Sequence, residues 1–302
     1  PRPILYEDAL QIYKKVFKFL LVEDYIIFKL TGEFFIDYTL ASRTMAFDIN
    51  LRKWSHKILT IADVSDDLLS NPCPSGTLIG HVRQDLKNDL GFKNTVYVVT
   101  GGHDQPCGAL GAGISEGKIA VNATGTVDAL CIVFSKLEYL ENMLQYNYPV
   151  YPYVIKDYYC TIAFNLSGGL VLKWYRDVLC TDEKRRAKEN IKNVYELILE
   201  EMSDIPKDIF ILPHFVGSGT PFIDPFSKGA IVGLKASTNK SDLTRAIIDS
   251  LNYEMKFNIE CLQSNNIELT EVRVIGGGSK SNKWIELKAS CFGMPIKKPK
   301  VS

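Results

Sequence analysis

The stretches "VYVVTGGHDQ" (Val96 to Gln105) and "VRVIGGGSKSN" (Val272 to Asn282) share one pattern: an apolar β-branched run, consecutive glycines, then polar residues. Between them lies "GKIAVNATGTVDALCIVF", which reads as a β-hairpin. Its first strand starts at Lys118, its turn is Thr124-Gly125-Thr126, and its second strand runs to Phe134. Glycine at a strand end lets a backbone approach another group closely. A helix starting just after such a turn offers free N–H groups and a positive dipole end, which suits phosphate. The chain therefore reads as an α/β protein whose strand ends carry the chemistry. It holds no GxxxxGK[ST] and no GxGxxG after a strand, so neither a Walker P-loop nor a Rossmann fingerprint explains the glycines. Two readings of Asp104 stand at this level: a turn residue bonding nearby amides, or an acid placed for catalysis.

The other elements are legible from periodicity. Leu10, Tyr13, Val16, Phe17 and Leu20 fall on one stripe of a helix expected over Ala9–Leu30, with Thr31-Gly32 as its stop. The small polar residues after Asp37 read as a loop or helix start. "SHKILTIADVSDDLLSNPCPSG" suggests two short helices ending in a Pro/Gly turn. "NLSGGLVLKWYRDVL" is an amphipathic helix opened by Gly168-Gly169. The clearest helix follows Ser241, a candidate cap, with Ile247, Leu251, Met255 and Ile259 recurring every four residues.

Bulk properties exclude several classes. A length of 302 residues with 46% hydrophobic content is enough for two domains with separate cores. Thirty-five basic and 35 acidic side chains cancel, which argues against nucleic-acid or polybasic membrane partners. No apolar run reaches the ~18 residues of a membrane span, and "PRPILYEDAL" is not a signal peptide. The seven cysteines lack CxxC spacing and the four histidines lack metal-ligand spacing, so no metal site is expected and reduced thiols in a cytoplasm fit best.

Taken together, four blocks resemble the FGGY carbohydrate kinases of the actin-like ATPase superfamily. "DYTLASRT" resembles part of the family's first domain, and "GGHDQPCGALGAG" the segment with its catalytic aspartate. "GAIVGLKASTNKSDLTRAIIDS" resembles the C-terminal signature, through Gly229, Ile231, Gly233, Leu234, Asp242, Leu243, Ala246 and Asp249. "VIGGGSKSNKW" resembles the adenosine loop. The resemblance implies two domains of ribonuclease H-like fold, residues 1–112 for sugar and 113–302 for nucleotide, with ATP and sugar meeting between them and domain closure hinged near Gly108 to Glu116.

By the same resemblance Asp104 is the general base toward the acceptor hydroxyl, and Tyr38, His103 and Gln105 contact substrate. Gly125 and Thr126 approach the terminal phosphates, Gly169 lies near the nucleotide, and Gly278, Ser279 and Asn282 form the adenosine loop. Lys173 stands where glycerol kinases carry a nucleotide-contacting Gln. Packing or turn roles remain the alternatives at each position. The family's usual opening phosphate-binding turn and its closing small-residue helix are not found, so the chain is expected to be truncated at both ends and inactive alone. The implied activity is ATP- and Mg2+-dependent phosphorylation of a primary hydroxyl on a small sugar, a ketose such as xylulose, with glycerol or another polyol as runner-up. A homodimer is possible by analogy. A non-catalytic sugar-responsive protein of this fold and a chaperone-type ATPase are the alternatives from other classes; the "HDQ" block argues against both.

Overall fold

A computed structural model describes residues 18–137 and 140–299. Leu10, Tyr13, Val16 and Phe17, most of the expected N-terminal stripe, lie outside the described residues. The helix that is described, Val22–Thr31, ends at Gly32 with φ 88°, the left-handed stop expected of Thr31-Gly32. The chain divides into two compact units, Pro1–Cys107 with Tyr151–Tyr158, and Gly108–Val150 with Tyr159–Ser302.

The first unit is built from small pieces. Phe35–Asp37 pairs in parallel with Asn71–Cys73, and Leu78–His81 pairs antiparallel with Tyr97–Val99. Ile27 of the first helix packs with Val82 and Val98. Ile36, Ala41 and Phe47 form a second core, against which Tyr38 and Trp54 pack. The residues after Asp37 form the helix Tyr38–Arg43, because the Asp37 side chain caps it by accepting from the Thr39 and Leu40 amides. In the next stretch only His56–Ile61 is an α-helix; Asp66–Leu68 is a 3₁₀ turn, and a strand intervenes before the Pro/Gly turn. That departs from the two helices expected, because Asn71–Cys73 finds a parallel partner that lies far back in the sequence.

The second unit centres on a mixed sheet. Side by side lie Ile296–Lys297, Glu271–Gly276, Ile119–Thr124, Asp128–Phe134 and Tyr159–Asn165. The first three are parallel, and the last three antiparallel. The expected hairpin is present, and its last pair before the tip is Thr124 with Asp128. The parallel register also sets Gly276 opposite Thr124. The triple glycine and the hairpin tip are thus brought to the same end of the sheet.

The long helix Lys240–Ser264 covers this sheet with its predicted stripe. Ile247 and Leu251 join one core with Val171, Leu172 and Trp284. Met255 and Ile259 join another with Leu130, Ile132 and Val274. Its cap is not Ser241. Asn239 accepts from the Asp242 amide at 3.0 Å and Asp242 returns the bond to the Asn239 amide at 3.3 Å, a reciprocal capping box. That pairing satisfies two orphan donors at once and starts the helix one residue before Ser241.

Candidate functional site

In the first unit, the strand ends at Val99 and Asp104 opens a new helix, Asp104–Gly111. The acid is therefore not at a strand end, as the sequence suggested, but at a helix start five residues on. There the helix dipole favours a carboxylate. Its side chain is 82% exposed, free to meet a ligand, and Oδ1 lies 3.4 Å from Nε2 of His103. Burial holds the His103 imidazole below its ordinary pKa, against the pull of Asp104, which favours the neutral ring near pH 7. Gln105, the next residue, is half-buried.

The turn before Asp104 is held by two acids, Glu23 half-buried and Asp37 buried. Glu23 accepts from the Gly101 amide at 2.9 Å and from the Asp37 amide at 3.1 Å. Burial pushes the Glu23 carboxyl above its usual range. Asp37, fully buried, takes hydrogen bonds from the Thr39 and Leu40 amides and from the Thr39 and Ser75 hydroxyls. The Thr39 hydroxyl accepts from the His103 amide at 2.7 Å. Gly102 sits flat on this cluster; a Cβ there would lie 3.0 Å from Cys107 Sγ and 3.2 Å from Thr39 Oγ1. Tyr38, beside Thr39, rests its ring 5.4 Å from that of Phe47, with the Arg52 guanidinium 5.9 Å from the ring centre. Glu23 and Asp37 were missed in the sequence. Asp37 had a local signal, an acid just before a helix start; Glu23 had none.

Asp37→Ala removes a helix cap and leaves buried hydroxyl and amide donors unmatched. The expected loss is about 2–3 kcal/mol of stability. Urea unfolding checks it, and Asp37→Asn, which keeps one acceptor, is expected to lose less.

In the second unit, a cavity of about 810 Å³ opens at the sheet end where the two glycine turns meet. Gly125, Thr126, Gly169, Gly278 and Asn282 line it, together with Lys173. Ser279 is not among the lining residues; it is buried, and its Oγ donates to the Gly276 carbonyl at 2.7 Å. It shapes the glycine turn from behind.

The glycines are explained by backbone crowding. The Gly169 amide donates to Gly125 O at 2.8 Å and the Leu170 amide to Thr126 O at 3.2 Å. The first turn of the Gly168–Leu179 helix thus holds the hairpin tip. These two amides are engaged, not free for an anion as a helix start following glycines suggested. A Cβ on Gly169 would lie 2.5 Å from Gly125 O, and one on Gly278 would lie 2.7 Å from the Thr124 Cβ. Gly276 has φ 82° and a Cβ there would meet Thr124 O at 2.8 Å. Three backbone segments therefore converge at one cavity.

The remaining walls are chemically mixed. Tyr195, Leu199 and Trp284 supply apolar and aromatic surface, Glu196 and Asn282 polar edges, and Lys173 and Lys280 positive charge. An apolar slot with a few placed polar groups is the usual form of a small-molecule site, and the volume falls in the usual range of roughly 300–1,000 Å³.

The four sequence blocks that resemble the FGGY carbohydrate kinases thus fall across both units, with the glycine turn of the fourth block at this cavity. Comparison with known proteins agrees. Residues 5–111 match the FGGY family of carbohydrate kinases, N-terminal domain, and residues 122–302 match the C-terminal domain. The chain belongs to the FGGY family of carbohydrate kinases. The xylulose kinase of Staphylococcus xylosus is 27% identical over 287 residues, which is 94% of this chain and 57% of the relative. A glycerol kinase of Saccharolobus islandicus is 28% identical over 303 residues, covering 94% and 54%. The chain thus spans a little over half the length of these relatives. A crystal structure described as a xyloylose kinase from Brucella ovis superposes with TM-score 0.81 at 24% identity, covering 98% of this chain and 59% of that one. That likeness shows the fold: the two-domain actin-like architecture.

Among the described residues no helix is long and apolar enough to cross a membrane, and no three His, Cys, Asp or Glu side chains cluster to hold a metal ion.

Proposed function

We propose that the full-length protein carrying this chain transfers the terminal phosphoryl group of ATP to a primary hydroxyl of a small sugar, with the acceptor chemistry carried by the first unit and the nucleotide by the second. The observation that carries this reading is the convergence of Gly125, Thr126, Gly169, Gly278 and Asn282 on one cavity. A ketose such as xylulose is the preferred acceptor, since several of the similar proteins are xylulose kinases. The glycerol kinases among its relatives support a polyol as the second reading.

The residues divide the work. The Asp104 carboxylate accepts the acceptor's O–H proton as that oxygen forms its bond to the terminal phosphorus. The bond from this phosphorus to the bridging oxygen breaks, and ADP leaves with that electron pair. His103, neutral and 3.4 Å from Asp104, steadies the carboxylate. Gln105 and Tyr38 orient the sugar, through an amide hydrogen bond and a ring edge. The hairpin tip faces the terminal phosphates, and the glycine turn with Asn282 takes the adenosine. Mg2+ accompanies ATP in such transfers and supplies charge neutralisation; no residue here is assigned to it.

ADP release by the full-length protein carrying this chain, across xylulose, ribulose, fuculose, gluconate, erythritol and glycerol, tests the reading. Turnover that depends on one ketose supports the preferred acceptor, and turnover with glycerol or erythritol supports the second reading. ADP release that needs no acceptor, or none with any acceptor, contradicts the kinase assignment.

A further inference from the structure

Lys288 lies on the Asn282–Phe292 helix, which begins at the glycine turn of the cavity. Its side chain is 3% exposed and its ammonium reaches under the hairpin. It donates to Asn122 Oδ1 and, at 3.1 Å, to Thr124 Oγ1. It stands 3.9 Å from Oδ2 of Asp128. The other oxygen of Asp128 accepts from Asn122 Nδ2 at 2.7 Å and from Thr124 Oγ1 at 2.9 Å. Asp128 Oδ2 has no hydrogen-bond partner and is buried, so the lysine is its only charge compensation among the described residues.

This cluster sits at a mechanical junction. Thr124 and Asp128 form the last pair before the tip, so their side chains close the base of Gly125–Val127. Thr124 is also the surface on which Gly276 and Gly278 pack. Lysine is an expensive residue to bury, and burial pulls its pKa down against the attraction of Asp128. An apolar side chain would fill the same helix position at less cost. What lysine adds is a donor to two side chains of the hairpin's first strand, Asn122 and Thr124, and a positive charge 3.9 Å from Asp128 on the second.

We propose that Lys288 is a positioning residue for the nucleotide cavity, locking the hairpin tip against the glycine turn through Asn122, Thr124 and Asp128. The proposal rests on the nucleotide reading of that cavity. Lys288 touches no ligand in this account; it fixes the spacing of the two backbone segments that do.

Two variants and two readouts test it. Lys288→Met leaves Asp128 buried without compensation, and Lys288→Met with Asp128→Asn removes that charge so that folding recovers. Amide exchange of the ligand-free proteins reports on the tip, and titration with ADP reports on binding. The expected result is at least tenfold faster exchange at Gly125 and Gly169 in both variants. ADP affinity is expected to fall at least tenfold in the single variant and at least fivefold in the double variant, whose urea midpoint returns to the wild-type value. Unchanged tip exchange, or wild-type ADP affinity in the refolded double variant, overturns the proposal and leaves Lys288 with a packing role. Wild-type protein that binds no ADP, yet shows the exchange changes, overturns the nucleotide reading and the proposal's functional half with it, while the mechanical contact stands.

Discussion

In the full-length protein carrying this chain, Asp104→Asn is expected to lower acceptor-dependent ADP formation by about 10²–10⁴-fold, the usual contribution of a positioned general base. The amide keeps the size and shape of the carboxylate but cannot take a proton. Because the side chain is 82% exposed, its replacement is expected to cost little stability. ADP binding is expected to be unchanged, since every residue lining the cavity belongs to the second unit. Initial rates with the best acceptor, beside an ADP titration, separate these effects. A variant that keeps its rate removes Asp104 from the mechanism. One that loses rate and ADP binding together points to a structural fault instead.

Gly169→Ala is the second large effect. The new Cβ would lie 2.5 Å from a backbone carbonyl, Gly125 O, and a carbonyl in a turn cannot swing aside as a flexible side chain can. The same carbonyl is held by the Gly169 amide, so relief of the clash breaks the bond that fastens the tip. Overpacking of this kind costs about 1–3 kcal/mol. The expected result is a lowered thermal midpoint and an ADP affinity weakened at least tenfold. Gly111→Ala makes a useful control, because a Cβ there meets nothing within 4 Å. It is expected to be neutral or mildly stabilising, since alanine is the better helix former. If both variants behave alike, the crowding argument fails.

These two residues also show how far the sequence could be read. Gly169 stood in a visible Gly-Gly helix start, and Asp104 followed a visible strand and glycine pair. Local signals of this kind, a change of period or a glycine at a strand end, survive in one dimension. The register that sets Gly276 opposite Thr124 does not, because the two strands are parallel and their partners lie far apart in sequence. Glu23 is invisible for the same reason, since it braces Gly101 from 78 residues away. Lys288 carries no signal in the sequence, and only the fold reveals that it is buried. Asn239 displaced Ser241 as a cap because its partner Asp242 completes the reciprocal bond, a competition between neighbours that residue preference alone does not rank. Ser279 belongs to the adenosine loop by resemblance, and the fold adds that its hydroxyl donates to the Gly276 carbonyl.

The buried supports have a common logic. In the first unit Glu23 and Asp37 hold a turn through backbone amides, and in the second Lys288 and Asp128 hold a hairpin. Each set fixes backbone next to a candidate functional residue, and each spends buried polar groups to do so. Such groups are costly unless every partner is present, so single replacements are felt strongly.

The most direct test of the account is amide exchange of the protein with and without ADP. The account predicts new protection confined to three segments, Gly125–Thr126, Gly169–Leu170 and the turn from Gly277 to Asn282, which face one another across a single cavity. Protection elsewhere with these three unaltered, or no protection at saturating ADP, would contradict it.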